Sequence, residues 1–365
     1  MTDTQTYKPM LIAWEVTRTC NLACKHCRAG AQNRRYEQEL STEECKEVLE
    51  SIAAFCKPII ILTGGEPMLR GDIFQIASYG TSLGLRMVMA PCGYLITPET
   101  VHKMKDSGIQ RISLSIDAAT AEKHDAFRGV PGAFDTVMRA AEVVRQNGLD
   151  FQVNTTIHKG NIDELPEILD LAIQLGAKAF HPFLLVPTGR ASNMAGQEIS
   201  AEQYEEVLEW VYSMQEKTPI LFKPTCAPHY HRIARQKGGA PKAHPHAKGH
   251  PGSGHPGGLQ SLSKGCMGGQ SFAFISHVGK VQICGFLEES AGDLRESELD
   301  FRDIWDHSKL FQDVRNIDGY SGKCGYCEFR KVCGGCRARA FAMSGDYLAE
   351  EPFCIYTPKN TPKED

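Results

Sequence analysis

Three thiols lie on one short loop in the stretch Cys20-Asn21-Leu22-Ala23-Cys24-Lys25-His26-Cys27. The loop directly follows Met10–Val16, an apolar segment that predicts a β-strand. Three thiolates spaced Cys-x3-Cys-x2-Cys can bind three irons of a cubane cluster, whereas a single metal ion usually takes four ligands. The loop therefore predicts a [4Fe–4S] cluster on Cys20, Cys24 and Cys27, with one iron open to another ligand. The alternative is a zinc knuckle completed by Cys45 or His26.

The first 220 residues alternate short apolar runs with amphipathic segments. The predicted strands are Met10–Val16, Ile59–Leu62, Arg86–Ala90, Arg111–Ile116, Phe151–Thr156 and Ala179–Val186. The predicted helices are Thr42–Phe55, Ile73–Leu83, Pro98–Ser107, Ala133–Asn147, Ile162–Leu175 and Ala201–Gln215. Capping-box patterns precede two of them, Ser41 with Glu44 and Ser200 with Gln203. Six successive βα units predict parallel strands with crossover helices, in a sheet or barrel whose ligand loops follow the strands.

Composition places the 365-residue chain among soluble globular proteins, with 42% hydrophobic and 23% charged residues. A net charge of −4 argues against a nucleic-acid partner, because such proteins neutralise phosphates with many basic residues. Apolar runs such as Phe180–Val186 are far shorter than the roughly 18 residues of a membrane span. Met1–Pro9 lacks the apolar core of a secretory signal, so we expect a cytoplasmic protein without a membrane span. In such a chain, fourteen cysteines indicate metal or cluster ligation rather than disulfides.

The same patterns divide the chain into regions. Residues 1–220 carry the βα units, 264–358 form a cysteine-rich module, and 359–365 are a charged tail. The connecting segment 221–263 contains Gly238–Gly258, which consists almost entirely of Gly, Pro, His, Ala and Lys. This composition buries little apolar surface, so we interpret it as a solvated, mobile linker. The alternative is that its histidines bind a metal or haem: His244, His246, His250 and His255.

A second motif, Gly64-Gly65-Glu66-Pro67, follows the predicted strand Ile59–Leu62. The glycines let the backbone approach a ligand closely, and the Glu66 carboxylate can accept a hydrogen bond from an amino group. Alone, the motif is also typical of an ordinary turn. Its position at the end of the second strand, beside the cysteine loop after the first, favours a ligand site.

The two motifs together resemble the radical S-adenosylmethionine (SAM) family. In that family the amino and carboxylate groups of SAM fill the open iron, and an electron from the cluster cleaves SAM to a 5′-deoxyadenosyl radical. The resemblance implies an oxidoreductase with a partial (β/α)6 barrel of the TIM type, served by an electron donor such as flavodoxin or ferredoxin. It also implies that Gly64–Pro67 bind the SAM amino group and that His26 lies near the adenine. Three residues at other strand ends would line the ribose and methionine, unless they are polar core residues: Ser115, Asp117 and Asn154.

Seven further cysteines follow residue 264, spaced Cys266-x17-Cys284, Cys324-x2-Cys327-x5-Cys333-x2-Cys336, and Cys354. A zinc ribbon uses similar pairs and is the alternative. Behind a radical SAM barrel, the array resembles the SPASM extension, which implies one or two auxiliary [4Fe–4S] clusters. In that arrangement one cluster takes Cys266, Cys284 and Cys336, and the other takes Cys324, Cys327, Cys333 and Cys354. An eighth ligand is missing: either Cys226 supplies it, or the first cluster has an open iron, or only one cluster forms.

Five segments narrow the resemblance: Ile12–Arg18, Val186–Arg190, Thr225–Tyr230, Cys333–Ala340 and Gly345–Leu348. From about residue 10 to 358, apart from the His-rich linker, the chain resembles the Fe-coproporphyrin III decarboxylases, the haem synthases of the siroheme-dependent haem pathway. The resemblance implies radical oxidative decarboxylation of two propionates to vinyl groups, which gives haem b. The alternatives are a related enzyme acting on haem d1 or didecarboxysiroheme precursors, a SPASM peptide maturase, and a zinc-binding structural protein without catalysis.

An iron porphyrin substrate is a flat apolar macrocycle with carboxylates at its rim. Its site should combine apolar walls with basic or hydroxyl side chains, and arginine suits bidentate binding of a carboxylate. The candidates are Arg18, Arg190, His229, Tyr230, His231 and Arg232. For the dense run from His229 to Arg232, a basic turn at the surface is the alternative. His229 or His231 is also a candidate ligand of the substrate iron.

Overall fold

The structure is a computed structural model that describes residues 7–194, 196–239 and 265–361. The predicted linker Gly238–Gly258 lies outside the described residues from residue 240 onward, and so do its four histidines. Within the described ranges, no helix is both long enough and apolar enough to cross a membrane.

Ten β-strands and twelve α-helices form from the described residues. The strands are β1 (Leu11–Thr17), β2 (Ile59–Gly64), β3 (Arg86–Met89), β4 (Ile109–Ser115), β5 (Asp150–Ile157), β6 (Ala179–Leu184), β7 (Leu221–Phe222), β8 (Phe272–Ile275), β9 (Lys280–Gln282) and β10 (Gly292–Asp293). The helices are α1 (Thr42–Phe55), α2 (Ile73–Ser82), α3 (Pro98–Asp106), α4 (Ala121–Arg128), α5 (Ala133–Gln146), α6 (Leu165–Gln174), α7 (Ala201–Met214), α8 (His229–Gln236), α9 (Phe301–His307), α10 (Lys309–Arg315), α11 (Gly322–Tyr326) and α12 (Arg337–Ser344).

All ten strands belong to one sheet, in the order β10-β9-β8-β1-β2-β3-β4-β5-β6-β7. Strands β1 to β7 are parallel neighbours in chain order, which is the arrangement expected of a partial (β/α)6 barrel, here with a short seventh strand. Strand β8 adds parallel to β1, with Phe272 opposite Leu11, and β9 and β10 follow antiparallel. The cysteine-rich module thus begins as an extension of the barrel's own sheet.

Each barrel strand turns one face to the helices and the other to an open lumen. Along β5, Phe151 and Val153 are buried under the helices, whereas the alternate residues Gln152 and Asn154 are only half-buried and line the lumen. This alternation follows from the two-residue period of a strand. The outward faces make the hydrophobic core, in which Trp14 of β1 is fully buried.

Every predicted strand and helix overlaps an observed one. The capping boxes at Ser41 and Ser200 are both present, and Thr97 caps α3 directly before Pro98. The sequence did not predict α4, α8 or the elements after residue 264, because these are short and their patterns are weak. The domain boundaries at 220 and 264 stay predictions; β7, which pairs with β6, lies inside the predicted connecting segment.

Candidate functional site

The cysteine loop leaves the end of β1 and folds back over the barrel mouth. Cys20 and Cys24 are buried and Cys27 is half-buried, and all three line the lumen. The Cys27 amide donates to the Cys24 carbonyl at 3.2 Å, and the Cys20 amide donates to the Gln32 carbonyl at 3.0 Å. Burial raises the pKa of the Cys20 thiol to about 12, helped by the nearby Glu66 carboxylate and the other two thiols. A buried thiol with two further thiols on the same loop suits a site that removes their protons by binding a metal cluster.

Arg190 ties the cysteine loop to the far side of the barrel. Its Nε donates to the Cys24 carbonyl at 2.8 Å, and its Nη1 donates to the Ala31 carbonyl at 2.7 Å. The Arg190 amide also donates to the Cys27 carbonyl at 2.9 Å. The structure therefore corrects one prediction: Arg190 does not reach the lumen as a substrate clamp, because its guanidinium is used to position the loop.

The glycines after β2 allow a close approach of two backbones. A Cβ on Gly64 would lie 2.3 Å from the Thr17 carbonyl oxygen, and one on Gly65 would lie 2.2 Å from the Thr19 carbonyl oxygen. The Gly65 and Glu66 amides donate to those same two oxygens, each at 2.8 Å. Both glycines line the lumen. The motif therefore fixes the second loop against the base of the cysteine loop, in addition to any contact with a ligand.

Glu66 is buried behind this motif and does not line the lumen among the described residues. Its Oε1 accepts from the Met68 amide at 2.9 Å and its Oε2 accepts from the Cys92 amide at 2.5 Å. Pro67 is buried and begins a single 3-10 turn, Pro67–Leu69. The carboxylate thus joins the loop after β2 to the loop after β3. Each carboxylate oxygen can accept a further hydrogen bond, and the contact of Glu66 with the SAM amino group stays a prediction.

Asp117 also acts behind the lumen rather than in it. Its carboxylate pairs with Arg128 and accepts from the Thr156 amide at 2.7 Å, and the residue is 1% exposed. Burial acts to raise the pKa of Asp117, but the Arg128 guanidinium holds it below the usual range. Arg128 in turn lies 3.7 Å from the Cys24 sulfur. The structure corrects the prediction that Asp117 lines the ribose, because its carboxylate is buried behind the lumen and pairs with Arg128.

His26, Ser115 and Asn154 line the lumen, and their contacts with SAM stay predictions. The His26 ring stacks on Phe127 with centroids 4.2 Å apart, and Phe127 stacks on His158 at the same distance. Burial lowers the pKa of His26 to about 3, so the ring is neutral and presents a flat aromatic surface. Such a stack beside the cysteine loop offers a surface against which a planar nucleobase can pack.

One continuous cavity of about 2170 Å³ runs through the barrel from the cysteine loop to the C-terminal module. Its wall on β8, β1 and β2 is largely apolar, with Phe272, Phe274, Leu11, Ala13 and Ile61. The opposite wall, on β3 to β7, carries polar and basic side chains. Ligand pockets for small molecules usually measure about 300–1,000 Å³, so this cavity has room for two sizeable ligands at once.

The C-terminal cysteines fall into two groups. Four thiols line the main cavity: Cys226, Cys266, Cys284 and Cys336. Cys226 is close enough to the other three that their thiols, together with burial, raise its pKa well above the usual value. Cys226 also has a left-handed backbone conformation, with φ at 57°, which a residue with a side chain rarely adopts.

The second group lines a separate small cavity: Cys324, Cys327, Cys333 and Cys354. These are the four residues that the SPASM arrangement assigns to one cluster. In the parts of the chain that the structure describes, no three His, Cys, Asp or Glu side chains lie close enough to hold a single metal ion.

The remaining substrate candidates separate between the two cavities. Tyr230 and His231 line the main cavity, whereas His229 and Arg232 line the small cavity of the second thiol group. Arg232 Nη1 donates to Glu205 Oε1 at 2.8 Å, and His229 lies 3.9 Å from Glu351. The prediction that His229 and Arg232 contact the substrate is therefore corrected. Both lie on a face of α8 that points away from the lumen.

The prediction that Arg18 binds the substrate is also corrected, because its side chain pairs with a neighbouring carboxylate. Its Nε donates to Glu15 at 2.8 Å, and it does not line the main cavity among the described residues. The sequence missed Arg28, which pairs with the same buried Glu15 at 2.7 Å and lies 4.2 Å over the Phe274 ring at the cavity wall. Only the Cys-x3-Cys-x2-Cys motif, which Arg28 follows directly, could have drawn attention to it.

Comparison with known proteins identifies the family to which the chain belongs. The model of the radical SAM superfamily matches residues 14–172. A protein named AdoMet-dependent heme synthase, from Nitratidesulfovibrio vulgaris, is 51% identical over 96% of this chain and 93% of its own length. A protein of the same name from Oleidesulfovibrio alaskensis is 49% identical over 97% of this chain and 89% of its own. This chain belongs to the radical SAM family, among the AdoMet-dependent heme synthases.

The fold of this chain is also found in solved structures. Streptococcus suis SuiB bound to the precursor peptide SuiA has a TM-score of 0.74, with 17% identity, over 95% of this chain and 76% of that one. Family membership confirms the predicted enzyme class and cofactors: radical SAM proteins use a [4Fe–4S] cluster with SAM, and the cysteine-rich C-terminus suits auxiliary clusters. The alternative interpretation, a zinc-binding structural protein without catalysis, is therefore wrong.

Proposed function

We propose that this radical SAM enzyme converts Fe-coproporphyrin III to haem b by oxidative decarboxylation of two propionates to vinyl groups. The observation that carries the proposal is the single cavity that joins the Cys20, Cys24 and Cys27 loop to the auxiliary thiols. Its volume of about 2170 Å³ accommodates SAM and a tetrapyrrole together. The names of the two heme synthases at 49% and 51% identity support the same substrate class.

The shape of the cavity suits the two chemical faces of this substrate. Phe274 and Ile61 belong to the apolar wall and can pack against the flat macrocycle. Tyr230 and His231 lie on the opposite side, where carboxylates at the rim find hydrogen-bond donors.

The reaction requires a radical at one end of the cavity and an electron acceptor near the other. Each propionate loses one hydrogen atom from its β-carbon, then carbon dioxide and one electron, and becomes a vinyl group. When bound, the cluster on the cysteine loop with SAM supplies the 5′-deoxyadenosyl radical that takes the hydrogen, and an auxiliary cluster offers a place for the electron. The residues that line the cavity hold the macrocycle between these two ends and keep its reacting propionate near the loop.

For the SAM site we propose Cys20, Cys24 and Cys27 as cluster ligands. Gly64, Gly65, Ser115 and Asn154 would contact SAM, with His26 beside the adenine. Glu66, Pro67 and Asp117 would support these contacts from behind. The flavodoxin or ferredoxin donor stays a prediction of the family resemblance.

For the auxiliary clusters we propose two complete sets of four thiolates. Cys324, Cys327, Cys333 and Cys354 form one, and Cys266, Cys284 and Cys336 form the other with Cys226 as the missing ligand. The support is that all four of the latter line one cavity and that Cys226 adopts a strained backbone to reach it. Of the three arrangements that the sequence left open, this one uses every thiol of the group.

The test is an anaerobic incubation with SAM, a reductant and Fe-coproporphyrin III, followed by mass analysis. We expect haem b, with two carbon dioxide and two 5′-deoxyadenosine formed per product. Cys24→Ala should abolish formation of haem b and of 5′-deoxyadenosine. Cys45→Ala removes a core thiol of α1 that belongs to none of the three proposed cluster sites, and this variant should form both products. Formation of 5′-deoxyadenosine without loss of carbon dioxide from the porphyrin would move the proposal to another substrate.

A further inference from the structure

The polar wall of the cavity carries a cluster of basic groups that belong to no motif of the sequence. Arg111 lies on the lumen face of β4, His181 on that of β6, and Lys223 directly after β7. The Lys223 amide donates to the carbonyl of Phe180 at 3.1 Å, which places Lys223 next to His181 in the neighbouring strand. Burial lowers the pKa of His181 and of His231, and the charge of Lys223 lowers both further, with a contribution from Arg111 at His181. We call Arg111, His181 and Lys223 the basic wall.

Anionic partners are few along the basic wall in the part of the chain that the structure describes. Among the described residues that line the cavity, Asp150 is the single carboxylate against nine lysines and arginines, and it lies 3.5 Å from Arg111. Arg111 Nε and His181 Nε2 are buried without a hydrogen-bond partner. Gln152 Nε2 lies 3.4 Å from His181 Nδ1, so an amide donating there leaves the ring proton on Nε2, free to donate into the lumen.

Burial makes this arrangement unfavourable for the free protein. Burial lowers the pKa of Lys223, which means that the surroundings do not offset the lost hydration of its ammonium group. A cation in such a place is stabilised when an anion binds beside it, and a carboxylate is the anion that arginine, lysine and a neutral N–H all recognise. The wall is thus prepared for a ligand that carries more than one carboxylate.

We propose that Arg111, His181 and Lys223 bind the propionate carboxylates of the substrate that point away from the cysteine loop. The inference rests on the proposed function, since it assigns the residues that hold that substrate. Arg111 lies four residues before Ser115 on the same face of β4, which at about 3.3 Å per residue places it roughly 13 Å deeper in the lumen. A carboxylate held there directs the opposite edge of the macrocycle toward the radical site.

The test is an optical titration of the cluster-loaded enzyme with Fe-coproporphyrin III and, separately, with its tetramethyl ester. Lys223→Met and Arg111→Met should each weaken binding of the acid about tenfold or more, because each removes a charge-assisted hydrogen bond. Neither should change the affinity for the ester, which carries no charged carboxylate. Lys223→Arg should retain most of the affinity for the acid.

Lys103→Met is the matched control, since this lysine is exposed on α3 and pairs with Glu99 at 2.7 Å far from the lumen. Iron content and melting temperature equal to those of the unchanged enzyme show that each variant is folded. Unchanged affinity of both variants for the acid, or an equal loss for acid and ester, would overturn the inference. Failure of the unchanged enzyme to bind Fe-coproporphyrin III at all would instead overturn the proposed function.

Discussion

Arg190 Nε donates to the carbonyl oxygen of Cys24 at 2.8 Å, across the mouth of the barrel. The contact joins the segment after β6 to the cysteine loop after β1, and four strands lie between β1 and β6 in the sheet. The guanidinium therefore holds the cysteine loop from a part of the sheet that is not adjacent to β1. The position of the thiols therefore depends on a residue that binds no metal.

Arg190→Met should reduce the occupancy of the first cluster while the auxiliary clusters remain. The variant keeps the length of the side chain and removes two hydrogen bonds to carbonyls, each worth about 1.5–3 kcal/mol when the donor is charged. We expect a loss approaching four irons per chain and no change of the reduced-cluster EPR signal on addition of SAM. Arg139→Met is the control, because Arg139 also donates to a carbonyl, that of Ile96 at 3.0 Å, but on α5. Equal iron content in both variants would contradict the prediction.

Gly65→Ala should separate the second loop from the cysteine loop. The new Cβ would lie 2.2 Å from the Thr19 carbonyl oxygen, and backbone on both sides must move to relieve the contact. Overpacking of this kind costs about 1–3 kcal/mol, which corresponds to SAM binding weakened by about 5- to 150-fold if the strain falls on the site. Isothermal titration of the cluster-loaded enzyme with SAM measures it. Gly71→Ala, with open space around its Cβ, should bind SAM normally.

The sequence predicted the barrel because its signals are local. Helices such as Thr42–Phe55 combine an amphipathic pattern with a capping residue, and the strand periodicity of β5 follows from its one-sided burial. Strand β8 carries no such signal, because it has four residues and its parallel partner β1 lies far away in the chain. Pairing over that distance depends on tertiary structure, which local periodicity does not contain.

For the site, the sequence indicated the groups whose chemistry is inherent in residue type. Thiols at cluster spacing and paired glycines belong to that class. Basic residues that bind the substrate do not belong to it. Whether such a side chain is available to a ligand depends on whether a neighbouring carboxylate already pairs with it. Arg18 is held by Glu15 and Arg232 by Glu205, whereas Lys223, which has no motif around it, faces the lumen.

Arg339→Met should destabilise the junction between the barrel and α12 strongly. Arg339 and Glu351 are fully buried with 3.2 Å between Nη1 and Oε2, and Arg339 Nη2 also donates to the Cys226 carbonyl at 3.0 Å. Burial acts to raise the pKa of Glu351, but Arg339 holds it below the usual range, so removing the arginine leaves a buried charge unpaired. Denaturant unfolding should show a loss of about 3–5 kcal/mol.

A double variant, Arg339→Met with Glu351→Gln, should recover part of that loss, since no charge is then left unpaired. Arg302→Met breaks the exposed pair with Asp306 and an exposed contact with the Phe55 ring, and should cost about 1 kcal/mol or less. Equal losses for Arg339→Met and Arg302→Met would show that the buried pair contributes nothing particular.

His124→Asn should flatten the pH dependence of stability below neutrality. Burial lowers the pKa of His124 to about 4, and its Nδ1 accepts from the Asp117 amide at 3.1 Å. The unfolded chain binds a proton there below about pH 6.5 and the folded chain does not, so stability is present above pH 6.5 and is lost as the pH falls toward 4. Asparagine keeps an acceptor and cannot titrate. Between pH 7 and 5.5 the variant should lose about 1 kcal/mol less stability by urea unfolding.

His102→Asn is the control for this experiment, because His102 is exposed on α3 and has no such contact. Its pH profile should follow that of the unchanged protein. An identical slope for His124→Asn would mean that the buried ring is protonated in the folded state.

Cys226→Gly distinguishes a cluster ligand from a structural thiol. A cysteine at φ 57° is strained, and glycine removes the strain, so loss of a merely structural thiol should be neutral or slightly stabilising. As the fourth ligand of Cys266, Cys284 and Cys336, however, Cys226 protects one corner of a cluster. We then expect the variant to fold normally and to show an altered EPR signal from one auxiliary cluster, with a [3Fe–4S] signal after mild oxidation.

Turnover should fall in the same variant, because the electron from each decarboxylation loses its acceptor or finds one of changed potential. Cleavage of SAM without substrate should persist, since the Cys20, Cys24 and Cys27 loop is untouched. Cys45→Ala again serves as the thiol control. An EPR spectrum and iron content equal to those of the unchanged enzyme would assign the first auxiliary cluster an open iron, because three thiols would then suffice to hold it.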